Sequence, residues 1–384
     1  MGRSGGRLAF ALQMRVMFFN EGNLGSHILG QGQLDAALRA GLQSRPDVEA
    51  RFAGLQEAGR WQRVLASRAI PGLSRWSLDF RSLRWHLVQS LRARGRIEEE
   101  LRAWPADALH VHSQSVALTI APTMRRLPVA VSLDSTVRDW WAMPAWSGLQ
   151  SSAEITIAPS RALERHALSR AAVVLAWTDW ARRSVELEAP RANVVEHHPG
   201  LDLDRYRPAP RRERPRPRVL FVGGRFAAKG GEDLLAALGE DLGRSVDLDI
   251  VTPAEVQERD GVRVHRLEPS DPGLLDLQQQ ADVLCLPTYG DTNPWVLLEA
   301  MACGTPVLSS PVGGIAGMLE GGRAGVLVDH GDPRGLGAAL RSLLADRQRR
   351  GQLAERGRRR CEQHYDARRQ FSALADRLSA LVRP

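Results

Sequence analysis

A helix is expected to begin with Pro294 at its first position, and over residues 295–303 it carries a single charged side chain, Glu299, among apolar neighbours. A helix that is apolar on all sides is usually buried, and burying a carboxylate is costly unless a partner compensates for the lost water. The partner of Glu299 is therefore either a donor group of the protein or the hydroxyl groups of a ligand. Asp291 lies eight positions earlier, in a polar turn after a mainly apolar strand expected at residues 281–286. Since open parallel sheets bind ligands at the carboxyl ends of their strands, both acids are predicted to face one crevice.

A glycine-rich segment at residues 223–231 lies between an expected strand and an expected helix. Its glycines allow close approach of the backbone, the helix N-terminus favours an anion, and Arg225 and Lys229 add two cations. Lys229 is the only lysine among 52 basic residues. Either a compact ammonium is needed there, or the residue reflects chance in an arginine-biased sequence. The segment predicts a site for a pyrophosphate group.

The two segments resemble glycosyltransferase family 4 (glycosyl transferases group 1), whose fold is GT-B. In that family two acids are separated by seven residues, and the second opens a motif that this chain matches in full: Glu299-Ala300-Met301-Ala302-Cys303-Gly304-Thr305-Pro306-Val307. The glycine-rich segment is similar to a family motif in which Gly-Arg is followed a few residues later by Lys-Gly. Here these pairs are Gly224-Arg225 and Lys229-Gly230. The chain departs from the family at Asp291, where Glu is usual, and at residues 293–295, where Gly-Phe-Gly is usual. Pro294 removes a backbone N–H that could have met the donor sugar.

The resemblance implies a retaining enzyme that moves a sugar from a nucleoside diphosphate sugar to an acceptor, with no metal ion or other cofactor. Arg225 and Lys229 would stabilise the departing diphosphate. Glu299 would hold ribose hydroxyls, and Asp291 would hold sugar hydroxyls. Further donor contacts are expected from the same turn and from glycine turns in both domains: Gly224, Thr292, Asn293, Gly313, Gly314, Gly22 and Gly25. Gly22 and Gly25 would serve equally well as plain turn glycines.

Asp134 follows the apolar residues 128–133, where the family carries a histidine near the transfer centre. It either orients a hydroxyl group of the sugar or acceptor, or caps a turn, as aspartates at strand ends commonly do. With the first role included, the catalytic residues implied by the resemblance are Arg225, Lys229, Asp291 and Asp134.

A chain of 384 residues has room for two domains that each bury a core. Strand, glycine turn and helix open both halves, and the resemblance implies an α/β GT-B fold, with two Rossmann-like domains facing across a cleft. We expect an N-terminal acceptor-side domain at residues 1–206 and a Pro/Arg-rich linker at 207–217. The C-terminal nucleotide-sugar-binding domain is expected at 218–360, and a C-terminal helix at 361–384 is expected to cross back to the first domain.

The net charge of +8 would suit a nucleic-acid partner. The arginines are spread along the chain without an RNA- or DNA-binding motif, however, so no nucleic-acid partner is expected. Asp202 and Asp204 match the Asp-x-Asp pattern of a metal-binding motif, yet their expected place in a loop argues against a metal site. Three widely spaced cysteines indicate neither a disulfide framework nor a metal cluster. The expected compartment is the reducing cytoplasm.

Residues 60–104 hold ten arginines against four acids, with Trp61, Trp76, Trp85 and Trp104 interleaved. This pattern suits a face that contacts anionic lipid or an acidic acceptor, which would place the protein peripherally at the inner face of a membrane. The interpretation we favour is a set of amphipathic helices that pack tryptophan inward beneath solvated arginine, since solvated basic faces are common. The chain has no run of eighteen apolar residues, so no membrane-spanning helix is expected.

The acceptor is expected to be a glycan or a lipid-linked molecule, because surface polysaccharide or glycoconjugate synthesis is the family's common role. Two other functions stay open. Asp291 and Pro294 suit a protein that binds nucleotide sugars but has lost catalysis, and a GT-B epimerase would keep the two domains.

Overall fold

The computed structural model describes residues 13–21, 38–39, 41–42, 45–74, 78–143 and 154–382. These residues form two parallel sheets of six strands each, covered by helices. The predicted α/β architecture of two similar halves is confirmed.

The first sheet has the strand order β2-β1-β3-β4-β5-β6. Its strands are β1 Met14–Asn20, β2 Val48–Gly54, β3 Ala108–His112, β4 Val129–Leu133, β5 Val173–Ala176 and β6 Val194–Glu196. The helices around it are α1 Arg60–Ser67, α2 Arg81–Ala103, α3 Gln114–Ala117, α4 Ala121–Met124, α5 Val137–Ala142, α6 Glu154–Leu168 and α7 Asp179–Glu188. Every residue of β3, β4 and β5 is buried, as expected for parallel strands covered on both faces.

The second sheet has the order β12-β11-β10-β7-β8-β9. Its strands are β7 Arg218–Val222, β8 Asp247–Val251, β9 Val262–His265, β10 Val283–Leu286, β11 Val307–Ser309 and β12 Val326–Leu327. The helices that follow in chain order are α8 Gly231–Leu238, α9 Pro272–Gln280, α10 Trp295–Ala302, α11 Ile315–Met318, α12 Pro333–Ala345, α13 Arg347–His364 and α14 Ala367–Val382, with single 3-10 turns at Gly239–Asp241 and Glu320–Gly322.

Both sheets reverse their direction of winding at one pair of neighbouring strands. In the first sheet the reversal lies between β1 and β3, and in the second it lies between β7 and β10. Loops leave the two strands in opposite directions at such a point, and the crevice between them is where open α/β sheets bind ligands. The loop at residues 223–230 and the loop at residues 287–294 therefore border one crevice.

The segment at residues 207–217 lies against the second sheet and its helices. Arg211 donates to the carbonyl oxygen of Gly304 at 2.9 Å, and Arg214 donates to that of Gln280 at 2.9 Å. The predicted linker is thus docked on the second half over much of its length. The predicted limits of the domains themselves stay predictions.

The last helix, α14, packs on the first sheet although α13 belongs to the second half. Phe371 and Leu374 share an apolar cluster with Val16 and Phe18 of β1. Where the chain passes between the halves, the Leu201 carbonyl accepts from the Ala367 N–H at 3.0 Å. In the described part of the chain, none of the helices has both the length and the apolar composition needed to cross a bilayer.

Candidate functional site

The loops after β7 and β10 are in direct contact. The Tyr289 N–H donates to the Ala228 carbonyl at 3.1 Å. Gly230 has a φ of +78°, and a Cβ added there would lie 2.0 Å from the Pro287 carbonyl oxygen. Only glycine fits that close approach and left-handed backbone. The close approach of the two loops therefore depends on a glycine that the sequence pattern already marked.

Lys229 lies inside the crevice between these loops. Its ammonium forms an ion pair with the Asp291 carboxylate and donates to the Gly290 carbonyl oxygen at 3.2 Å. The side chains of Lys229 and Asp291 are only 13% and 12% exposed. Charges buried to this degree depend on each other, since removing one partner leaves the other desolvated and uncompensated. The structure thus brings together one predicted cation and one predicted acid.

Gly224 and Arg225 lie on the outer side of the same loop. Both are exposed, and a Cβ added to Gly224 would meet no atom within 4 Å. The Arg225 carbonyl accepts from the Lys229 N–H at 2.9 Å, which closes the turn that directs the lysine inward. The loop therefore presents Gly224 and Arg225 to solvent, while the Lys229 side chain points into the crevice.

Glu299 is buried in α10, and its partners are protein groups. Its Oε1 accepts from the Tyr206 hydroxyl at 3.3 Å, and its Oε2 accepts from Gln278 Nε2 at 2.7 Å. Burial raises the pKa of Tyr206, and the nearby negative charge of Glu299 raises it further, so the phenol stays a donor. Of the two kinds of partner expected for Glu299, the structure supplies protein donors. Ribose hydroxyls would have to use the remaining lone pairs of this carboxylate.

Pro294 precedes α10 as its N-cap, with φ −68° and ψ 111°. The prediction that Pro294 occupies the first helical position is wrong by one residue, because its ψ is extended and the helix begins at Trp295.

Thr292 connects the second half of the chain to the first. Its hydroxyl donates to the Asp134 carboxylate at 2.7 Å, although the two residues are 158 positions apart. Asp134 also accepts from the Ser135 hydroxyl at 2.9 Å. Trp295 packs edge-on against Trp177, which follows β5, with 6.1 Å between ring centroids. The carboxyl edges of the two sheets therefore meet at this site.

Asn293 is 4% exposed, yet its amide oxygen and nitrogen form no hydrogen bond with any described group. Buried amides nearly always have partners, so an unmatched one next to Asp291 is typical of a ligand position or a water position. Among the predicted donor-binding residues, Asn293 is therefore one whose two buried amide atoms are available to a ligand or a water molecule.

The glycine turn after β11 packs on the loop that holds Asp291. A Cβ on Gly313, where φ is +54°, would lie 2.0 Å from the Asp291 carbonyl oxygen. The Gly314 N–H donates to the Thr292 carbonyl at 3.0 Å. Gly313 and Gly314 thus support the loop, and in this structure the Gly314 N–H already has a protein acceptor.

Glu21 is a candidate that the sequence did not single out. It follows β1 at the reversal point of the first sheet, is 4% exposed, and accepts from Gln89 Nε2 at 3.4 Å. Burial raises its pKa, hydrogen bonds from Ser113, Ser115 and Gln89 act in the opposite direction, and Asp134 raises it further. The feature of the sequence that could have indicated Glu21 is its position directly after the first strand, beside the predicted donor-binding glycines Gly22 and Gly25.

Some predicted positions fall elsewhere. Gly22, Gly25 and Trp76 lie outside the described residues. Asp202 accepts from the backbone N–H of Asp204 at 3.0 Å, and Asp204 pairs with Arg368. Within the described ranges, no three His, Cys, Asp or Glu side chains are placed to hold a metal ion.

Residues 216–346 match the family model described as Glycosyl transferases group 1. A D-inositol 3-phosphate glycosyltransferase from Thermobispora bispora is 31% identical over 229 residues, which cover 52% of this chain and 52% of the relative. A second enzyme of the same name, from Kineococcus radiotolerans, is 32% identical over 250 residues, with 52% and 55% covered. This chain therefore spans about half the length of the curated relatives it matches.

Solved structures match almost the whole chain. Sucrose-phosphate synthase from Thermosynechococcus elongatus superposes with a TM-score of 0.69 at 18% identity, covering 96% of this chain and 99% of that one. Anabaena HepE, solved in complex with UDP-glucose, gives a TM-score of 0.66 at 15% identity, with 96% and 100% covered. At this level of identity the likeness concerns the fold, which is GT-B.

Proposed function

We propose that this chain is a glycosyltransferase that uses a nucleoside diphosphate sugar as donor, since residues 216–346 match the family model described as Glycosyl transferases group 1. The observation that carries the proposal is the position of Lys229. A buried ammonium, held at the reversal point of the second sheet, meets the requirement for a cation beside a leaving diphosphate. The family match and the glycine-rich loop that holds this lysine support the same donor.

In the proposed reaction, the donor diphosphate lies along the loop at residues 223–230. Lys229 exchanges part of its contact with Asp291 for the diphosphate, and exposed Arg225 closes over the phosphates from outside. The bond between the anomeric carbon and the diphosphate breaks as an acceptor hydroxyl bonds to that carbon on the same face. The hydroxyl proton passes to the leaving diphosphate, whose developing charge these cations stabilise. Asp291, partly released, accepts hydrogen bonds from sugar hydroxyls, and the Asn293 amide supplies a further donor and acceptor.

The acceptor in this proposal lies on the first-domain side, near Asp134 and Glu21. Transfer proceeds with retention at the anomeric carbon and without a metal ion or other cofactor. The curated relatives bear a name that specifies D-inositol 3-phosphate, and HepE was solved with UDP-glucose. For this chain we propose a glycan or lipid-linked acceptor in surface polysaccharide or glycoconjugate synthesis, in the cytoplasm and in peripheral contact with a membrane.

The test is release of nucleoside diphosphate in the presence of donor and acceptor extracts, compared among variants. Lys229→Met and Arg225→Ala are expected to reduce turnover by orders of magnitude. Arg244→Ala, at an arginine whose side chain is 78% exposed on the same half, is the matched control and should keep full turnover. Because Lys229→Met leaves Asp291 unpaired, the stability of the double variant with Asp291→Asn shows whether unfolding, rather than lost chemistry, explains the loss in Lys229→Met. Near-normal turnover of folded Lys229→Met would refute the assignment.

A second function is favoured by the same ion pair. Lys229 and Asp291 satisfy each other in this structure, and Pro294 offers no N–H to the sugar. A protein that binds nucleotide sugars without transferring them would keep this arrangement. Such a protein would bind the donor, but in the assay above it would release no nucleoside diphosphate with any acceptor.

A further inference from the structure

Large apolar side chains are exposed on one stretch of the first half. Ten such residues are exposed in the described part of the chain, and six of them fall within twenty positions. Trp61 is 82% exposed and Leu65 is 60% exposed, four residues apart on α1. The six residues are Trp61, Leu65, Ile70, Leu73, Leu78 and Phe80. We call the described residues of 60–81 the 60–81 surface.

The charges on the 60–81 surface have one sign. Arg60, Arg63, Arg68 and Arg81 are exposed. Asp79, the acid among the described residues of this stretch, is 4% exposed and accepts a hydrogen bond from the Ser74 hydroxyl at 2.6 Å. The surface therefore presents apolar side chains among cations, with its acid turned into the protein.

The 60–81 surface is fixed to the body of the first half by Arg84. This side chain of α2 donates to the carbonyl oxygens of Leu65 and Arg68, each at 2.9 Å, and to that of Asp79 at 3.0 Å. Three hydrogen bonds from one guanidinium hold the backbone before and after Ile70, Leu73 and Leu78. The expectation that tryptophans pack inward is wrong for Trp61, whose side chain is exposed on α1.

We infer that the 60–81 surface docks on a bilayer that contains anionic lipid. Trp and Leu side chains that project among arginines match the boundary between headgroups and acyl chains, and the arginines match acidic headgroups. A second copy of this chain is a poorer partner, because the same surface would bring arginine against arginine. Anionic lipid satisfies both the apolar and the charged part of the surface.

Docking in this way would bring the acceptor side of the cleft near the membrane, a consequence that rests on the proposed function. The helix α2 begins at Arg81, on the surface, and carries Gln89 to Glu21 in the cleft. Eight residues of helix span about 12 Å. A lipid-linked acceptor could therefore present its head group to Glu21 and Asp134 while its chain stays in the bilayer.

The experiment is co-sedimentation of the full chain with vesicles of phosphatidylcholine alone and with vesicles that also contain phosphatidylglycerol. Binding to the anionic vesicles is expected, and it should weaken as salt is added. The double variant Trp61→Ser with Leu65→Ser should lower the partition coefficient by about tenfold or more, since two large apolar side chains leave the bilayer. Arg60→Gln with Arg63→Gln should also weaken binding, and only to the anionic vesicles.

Leu187→Ser is the matched control, because Leu187 is 71% exposed on a different helix, α7. It should bind as the wild type does. Absence of binding to anionic vesicles, or equal losses in Leu187→Ser and in the Trp61 and Leu65 variant, would overturn the inference. Concentration-dependent dimerisation in light scattering, lost in that double variant and accompanied by no vesicle binding, would assign the surface to a second copy instead. Since no donor is present, the outcome does not depend on whether the chain transfers sugar.

Discussion

A single carboxylate, Glu299, connects three separate segments of the chain. Tyr206 comes from the segment that joins the two halves, Gln278 comes from α9, and both donate to the acid on α10. The sequence showed that this acid needs a partner but could not say which, because the donors lie 93 and 21 positions away.

Tyr206→Phe removes one of these donors and leaves a buried carboxylate oxygen short of a hydrogen bond. A loss of about 1–3 kcal/mol in the free energy of unfolding is expected, measured by urea denaturation. Tyr289→Phe is the control, because the hydrogen bond from Tyr289 to Asp233 is at a more exposed position. A loss in Tyr289→Phe as large as that in Tyr206→Phe would contradict the role given to burial.

At the scale of elements, β3 places two histidines in the interior of the first half. Burial lowers the pKa of His110 to about 3 and that of His112 to about 4. The His112 ring stacks on Trp177 with 4.7 Å between centroids. In the unfolded chain a histidine binds a proton near pH 6.5. The contribution of His112 to stability is therefore complete above that pH and is lost as the pH falls toward 4.

The expected loss at pH 5 is about 2 kcal/mol for this one histidine. We predict that His112→Gln reduces the drop in urea midpoint between pH 7 and pH 5 relative to wild type, whatever the variant costs at pH 7. The comparison with a variant is needed because Glu164, whose pKa burial raises to about 8, has the opposite pH dependence. Exposed His166 supplies the control, and an equal change in His166→Gln would count against the explanation.

Two of the glycines in the loop between β7 and α8 have different constraints. Gly230→Ala would push a Cβ against the Pro287 carbonyl in a left-handed backbone, which alone costs about 1–2 kcal/mol. A clear loss of stability and of donor affinity is expected, measured by denaturation and by donor titration. Gly224→Ala meets open space, so it should leave stability unchanged and lower only donor affinity. Equal stability of the two variants would show that the contact between the loops is not needed.

At the scale of the whole molecule, local patterns were enough to predict two α/β halves and the loops that border the crevice. Apolar strands, a glycine-rich turn and an all-apolar helix are all local, and the structure places Lys229 and Asp291 together as their positions after neighbouring strands require. The contact between Thr292 and Asp134 was beyond such reasoning, because it depends on how the halves face each other. The outward position of Trp61 was also beyond it, since it depends on how α1 packs against α2.

The two halves are held together by contacts far apart in the fold. Asp134 meets Thr292 at the cleft, while α14 adds Phe371 to the core of the first sheet. A donor bound at Lys229 would therefore lie directly beside the junction between the halves. Binding there should stabilise the whole chain, because a ligand that binds only the folded state raises its stability.

The most direct test is thermal unfolding of the purified chain with UDP-, GDP- and ADP-sugars in the presence of a chelator. We expect one nucleotide to raise the melting temperature of the wild type and of Arg244→Ala, and to have little effect on Lys229→Met. Such a result would identify the base and place the diphosphate at Lys229. No shift with any donor, or the same shift in folded Lys229→Met, would contradict the claim that this lysine forms the donor site.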